Sequence, residues 1–179
     1  MLVLMVMKKI SDMESISEYY AVCYKKKELE IGNRIIILDG IQDPGNLGTI
    51  IRSAAAFNVS TIILSENTVD LYNPKVLRAT QGMFNHINII SMDAKEAINE
   101  IKNRNIPVYG TNVEYGSDVR ELDSTSKSKY ALIMGNEGNG VRQDIAKMCD
   151  KNLYINMNSN VESLNVAIAT SILLYELGR

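Results

Sequence analysis

Tryptophan is absent from this chain, histidine occurs once and cysteine twice. A single imidazole excludes a histidine dyad and a histidine-rich metal centre, so no metal site is expected. His86, ahead of the apolar Ile87, Ile89 and Ile90, reads as a strand-edge histidine with ordinary hydrogen bonds. Two cysteines, Cys23 and Cys149, cannot build a disulfide framework. No apolar run approaches the ~20 residues that span a bilayer, so no membrane association is expected. Residues 1–7 are apolar, but Lys8 and Lys9 follow them. A secretory signal has the opposite order and a small-residue cleavage site, so the stretch is read as a strand of a cytoplasmic protein. Neither sign of charge dominates: 19 Lys and Arg face 21 Asp and Glu, for a net charge of −2. Any contact with nucleic acid must therefore come from a local patch. What remains is 179 residues, 46% hydrophobic and 22% charged, enough for one globular domain with a sizeable core.

Strand and helix patterns alternate through most of the chain. Residues 34–40 form a continuous β-branched run, as a strand buried on both faces would. A turn at 43–46 leads into a helix over 47–58, then a strand at 61–65. Asn73-Pro74 starts a helix to about residue 81, with proline where its missing N–H costs nothing. A strand over 87–91 precedes a helix from Asp93 to about Arg104. Strands at 106–111 and 129–134 and a helix over 141–149 follow; Pro107 suggests an edge strand or a first position. The last strand, 153–157, opens through a polar loop into a long terminal helix stopped by Gly178. This order predicts an α/β fold: a parallel sheet with helices on both faces. Residues 112–128 are polar and read as a mobile flap. Residues 1–33 do not fit the alternation; one strand is predicted at 19–24, before the charged 25–30.

Three constellations carry chemistry. In Asn46-x-Gly48-x-x-x-Arg52, Gly48, Arg52 and Ala55 share a helix face. Arg52 is either a surface ion-pair residue beside a packing groove or a guanidinium aimed at a phosphate or a reacting hydroxyl. In Gly135-Asn136-Glu137-Gly138-Asn139-Gly140, three glycines join a strand to a helix. That is either a tight turn or a place where backbone N–H groups approach a ligand. It is no P-loop, and Glu137 disfavours a pyrophosphate. The third is the mouth of the terminal helix, with Ser163 and Asn165 in its first turn. They read as helix-start residues or as side chains gripping an amino-acid-like ligand. No histidine is placed to serve Ser163 as base, which disfavours a covalent serine mechanism. From Val166 to Leu174 only Thr170 and Ser171 are polar, so this helix is expected to be buried in a core or against a second subunit.

Assembled, these residues resemble the SpoU (TrmH) family of RNA ribose 2′-O-methyltransferases, in the wider SPOUT class. The resemblance covers residues 34–179. It rests on Asn46-x-Gly48-x-x-x-Arg52 with Phe57-Asn58, on the glycine-rich turn, and on Ile155-Asn156-Met157 with Ser163-Leu164-Asn165-Val166-Ala167, in that order. The 73–82 stretch matches the family's second helix. The resemblance implies a C-terminal trefoil knot, an S-adenosyl-L-methionine pocket inside it, and a homodimer through the C-terminal helix. It implies methyl transfer to a ribose 2′-hydroxyl of RNA, with 23S rRNA first and tRNA second. The alternative is a non-catalytic RNA-binding scaffold dimer that retains the fold. Carried over by position, Thr111, Asn112, Met134, Gly135, Ile155, Met157 and Leu164 are the cofactor-binding residues. Asn46, Arg52, Glu137, Ser163 and Asn165 are the catalytic set. Asn156 replaces a usual proline. Residues 1–33 resemble the end of an L30e-like RNA-binding domain and its linker.

Overall fold

The computed structural model describes residues 22–112 and 116–178. Seven strands form one sheet: β1 (Arg34–Asp39), β2 (Thr61–Leu64), β3 (Asn88–Ser91), β4 (Val108–Thr111), β5 (Ser117–Asp118), β6 (Tyr130–Gly135) and β7 (Lys151–Tyr154). Their order is β3-β2-β1-β6-β4-β7-β5, and every pairing is parallel. The β-branched run 35–38 is wholly buried because helices cover both faces of the sheet. Alternation sorts the side chains. Ile36, Leu38, Ile62, Leu132 and Met134 join one core, and Ile35, Ile37, Ile63, Ala131 and Ile133 the other.

The first core is capped by α1 (Pro44–Ala56), α2 (Pro74–Ala79) and α6 (Val166–Leu177); α3 (Ala94–Asn103) covers the second. Helix α1 starts three residues earlier than predicted. The Asp43 side chain accepts from the Asn46 N–H, and Pro44 occupies the first turn. Asn73 and Asp93 cap α2 and α3 as their sequences foretold.

Several predicted bounds change. The 141–149 helix shrinks to α5 (Gln143–Ala146), and the last strand ends at Tyr154 instead of residue 157. Strand β4 is interior, with Pro107 just before it, where its carbonyl accepts from Ala131 N–H. The 112–128 flap holds β5, a 3-10 turn (Val119–Glu121) and α4 (Ser124–Ser128), and Val119 and Leu122 anchor it in the core. Of the strand predicted at 19–24, residues 22–24 have no regular structure; the rest, and 1–7, lie outside the described residues. No helix among the described residues is long and apolar enough to cross a membrane.

One topological feature positions the site. Strand β7, late in the chain, lies between β4 and β5, which are consecutive. Leu153 pairs with Thr111 on one side and Ser117 on the other. Gly116 presses on β7 so closely that an added Cβ would sit 2.4 Å from the Asn152 carbonyl oxygen.

Candidate functional site

At the carboxyl ends of β4, β6 and β7 the structure holds a cavity of about 500 Å³. Ligands of open α/β sheets bind outside the carboxyl ends of strands. Its wall contains Thr111, Asn112, Met134, Gly135, Ile155, Met157 and Leu164, all seven residues expected to surround a cofactor. Glu137, Ser163 and Asn165 also line it, whereas Asn46 and Arg52 stand outside the wall. Met134, Ile155, Leu164, Ala169 and Leu173 make part of the wall apolar. The backbone N–H groups of Ile155, Met157, Ser163 and Leu164 have no hydrogen-bond partner among the described residues. The wall thus joins an apolar surface to unpaired main-chain donors, the usual make-up of a small-molecule site.

The glycine-rich turn is built by Asn136. Its backbone pairs with Gly140, and its Oδ1 accepts from the N–H groups of Gly138 and Asn139 at 2.9 and 3.2 Å. Its Nδ2 donates to the Gly40 carbonyl at 2.8 Å. Behind the turn, the backbone N–H and Nε of Arg142 donate to the Asp39 carboxylate, which is 3% exposed. The end of β1 therefore grips both ends of the turn. Gly135 is dictated by space: an added Cβ would lie 2.0 Å from the Gly140 carbonyl carbon.

Glu137 does not point freely into the cavity. Its carboxylate accepts from the N–H groups of Gln42 and Asp43 at 3.2 and 3.1 Å and from Asn46 Nδ2 at 3.1 Å. Burial alone would raise its pKa; the Asn46 amide and the backbone donors outweigh that and hold it below the ordinary carboxylate range. Asn46 Oδ1 accepts in turn from Asn165 Nδ2 at 2.9 Å, and Asn165 Oδ1 caps α6 by accepting from Ala167 and Ile168 N–H. A chain of hydrogen bonds thus joins the three sequence motifs: Glu137 to Asn46 to Asn165 to the start of α6. Ser163 is not in the helix, which begins at Val166 with Asn165 as its cap.

Arg52 is exposed, and among the described residues its side chain makes no ion pair or hydrogen bond. The small-residue groove at Gly48 is filled by α2: an added Cβ would meet the Ala79 Cβ at 2.2 Å. Among the described residues no cluster of three or more His, Cys, Asp or Glu could hold a metal.

The model of the SpoU rRNA Methylase family matches residues 33–175. The chain belongs to this family. A SpoU-family relative in Bacillus subtilis, the 23S rRNA (guanosine(2553)-2′-O)-methyltransferase RlmP, is 37% identical over 94% of this chain and 67% of its own. Two solved relatives carry bound AdoMet. The AviRb methyltransferase of Streptomyces viridochromogenes is 29% identical with a TM-score of 0.76, over 84% of this chain and 59% of that one. An rRNA methyltransferase of Sinorhizobium meliloti is 36% identical with a TM-score of 0.75, over 84% and 57%. The chain therefore spans between about half and two thirds of these relatives' lengths.

Sequence reasoning gave no role to Asn136 within its motif, and it missed Asp39 and Arg142, which shape the turn without any motif of their own. The signal for Asn136 was present, since asparagine in a glycine-rich turn commonly bonds backbone N–H groups two residues on. Nothing local announced the pairing of Asp39 with Arg142.

Proposed function

We propose that this chain is an S-adenosyl-L-methionine-dependent RNA ribose 2′-O-methyltransferase, with rRNA as the first substrate class and tRNA the second. One observation carries the proposal: the second and third motifs line one cavity, and Asn46 of the first, just outside its wall, is hydrogen-bonded to both. The wall fits the cofactor. Met134, Ile155 and Leu164 suit an adenine face, and the unpaired N–H groups of the 155–164 segment suit its polar edges. When bound, the cofactor supplies an electrophilic methyl group on a sulfonium.

The chain's own part is positioning and electrostatics. Glu137 and Asn165 hold Asn46, and with it the first turn of α1. Helix α1 carries Arg52, the unpaired guanidinium, toward a ribose hydroxyl. A guanidinium keeps its proton at any physiological pH and is a poor base. Arg52 therefore orients the hydroxyl and stabilises negative charge growing on its oxygen. The stripe Ile168, Ile172 and Tyr175 on α6, spaced at i, i+4 and i+7, supports a homodimer through this helix; Ile168 is 53% exposed and Tyr175 50%. Partner coverage would complete the burial that the sequence calls for. Residues 1–33 are read as the end and linker of an L30e-like domain. The exposed, irregular course of residues 22–30 supports the linker part. We place the protein in the cytoplasm, with its RNA.

The test is transfer of labelled methyl from S-adenosylmethionine to deproteinised rRNA and tRNA, followed by mass mapping of the product. Methyl should appear on a ribose 2′-oxygen. Arg52→Ala should abolish turnover yet still bind S-adenosylhomocysteine. Transfer to a base, or full activity of Arg52→Ala, would overturn the proposal.

A further inference from the structure

Acidic residues outnumber basic ones in this chain, yet two long segments contain none. Between residues 44 and 65, and again between 71 and 92, there is no Asp or Glu; the basic side chains there are Arg52, Lys75, Arg78 and the lone His86. The fold stacks these segments on one another. Helices α1 and α2 pack together, and the 3-10 turn Met83–Asn85 packs on α1. The Gly48–Ala79 contact sets the last turn of α2 against α1 one turn from Arg52. Lys75 and Arg78 are exposed, and like Arg52 their side chains have no hydrogen bond or ion pair among the described residues. The ion pairs among those residues involve Lys95, Lys102, Arg120 and Arg142, all elsewhere. The acids at the rim of this face are partly engaged: Asp43 Oδ1 accepts from Asn46 N–H, and Asp70 Oδ1 from Tyr72 N–H. An acidic protein thus carries, on α1 and α2, exposed cations beside Arg52 with no carboxylate in the same two segments.

We infer that the α1–α2 face docks the RNA backbone, with Lys75 and Arg78 contacting phosphates that flank the nucleotide presented to Arg52. This rests on the RNA substrate proposed above. Exposed cations on segments without carboxylates, with no internal partner among the described residues, attract a polyanion. Phosphate contacts of this kind fix register without reading sequence. Lys75 and Arg78 are therefore positioning residues.

The experiment is binding of the full chain to deproteinised 23S rRNA across a salt series, for wild type, Lys75→Gln/Arg78→Gln and Lys147→Gln. Lys147 is exposed and lies on the 143–150 side of the molecule. The double variant should bind RNA about tenfold or more weakly at low salt, with the log–log salt slope reduced by about 0.7 for each lost phosphate contact. Its KM for RNA should rise with kcat preserved, and its affinity for S-adenosylhomocysteine should match wild type, which also verifies folding. Lys147→Gln should change nothing. An unchanged slope in the double variant, an equal loss in Lys147→Gln, or a wild type that binds no RNA would overturn the inference. So would a double variant that changes oligomeric state, which would make the face an interface between copies. RNA that binds as described but is never methylated would sink the proposed activity and leave this docking face standing.

Discussion

Replacing Asn46 with alanine deletes the centre of the wire between the motifs. Its Nδ2 donates to Glu137 Oε1 at 3.1 Å, and its Oδ1 accepts from Asn165 Nδ2 at 2.9 Å. A bond to a charged partner is worth about 1.5–3 kcal/mol when shielded, and a neutral one about 1 kcal/mol. Asn46 is only partly buried, so the first is discounted to about 1 kcal/mol for screening by water. The sum is about 2 kcal/mol of stability, read as a shift in the urea midpoint with an unchanged slope. The more telling quantity is coupling. Asn46→Ala and Asn165→Ala share one bond, so their double-mutant cycle should return about 1 kcal/mol of interaction. Asn46→Ala and Lys95→Ala, on opposite faces of the sheet, should add. If the loss also misplaces α1, kcat/KM falls about thirtyfold, since each 1.4 kcal/mol is a factor of ten. Coupling below about 0.3 kcal/mol between Asn46 and Asn165 would refute the wiring, whatever the single variants do.

Three further outcomes are expected. Gly135→Ala would drive a methyl group into main chain, 2.0 Å from Gly140 C and 2.1 Å from Val141 N. Main chain yields less readily than side-chain ends, so affinity for S-adenosylhomocysteine should fall at least about tenfold with the far-ultraviolet spectrum native; unchanged affinity would count against the turn as a cavity wall. Acid should destabilise the fold through Asp118, whose carboxyl is held at about 2 by the Arg120 guanidinium beside it, and through Glu137, also depressed. Depressed carboxylates contribute fully above the ordinary range near 4 and lose that contribution as pH falls toward about 2, so Asp118→Asn should flatten the stability profile in that window. Burial pushes the Cys149 thiol up to about 11, while Cys23 is exposed. At pH 8 iodoacetamide should modify Cys23 and spare Cys149 in the native protein, and rapid labelling of Cys149 would show that its cover opens.

Much of the scaffold is written in local chemistry. The run 35–38, the strand at 61–64, the proline at the start of α2 and the Asp93 cap follow from side-chain shape and short-range hydrogen bonding, so they are legible residue by residue. The three motifs were legible for the same reason. Boundaries failed where tertiary contacts decide them. Residues 147–149 leave the predicted helix after α5, and Asp150 then bonds to β4 through its N–H to the Val108 carbonyl. Ser163 stays outside α6 because Asn165 takes the cap.

Composition and spacing by themselves determined a parallel α/β domain, a lone histidine that rules out imidazole dyads, and an arginine set one helical turn from a glycine. Only the tertiary structure decided that Gly48 receives Ala79, that Glu137 faces Asn46 rather than open solvent, and that β7 enters between β4 and β5. The reason is range. Helix and strand preferences act over a few residues, whereas Asn46 meets Glu137 across 91 positions and Asn165 across 119, distances closed by the order of strands in the sheet.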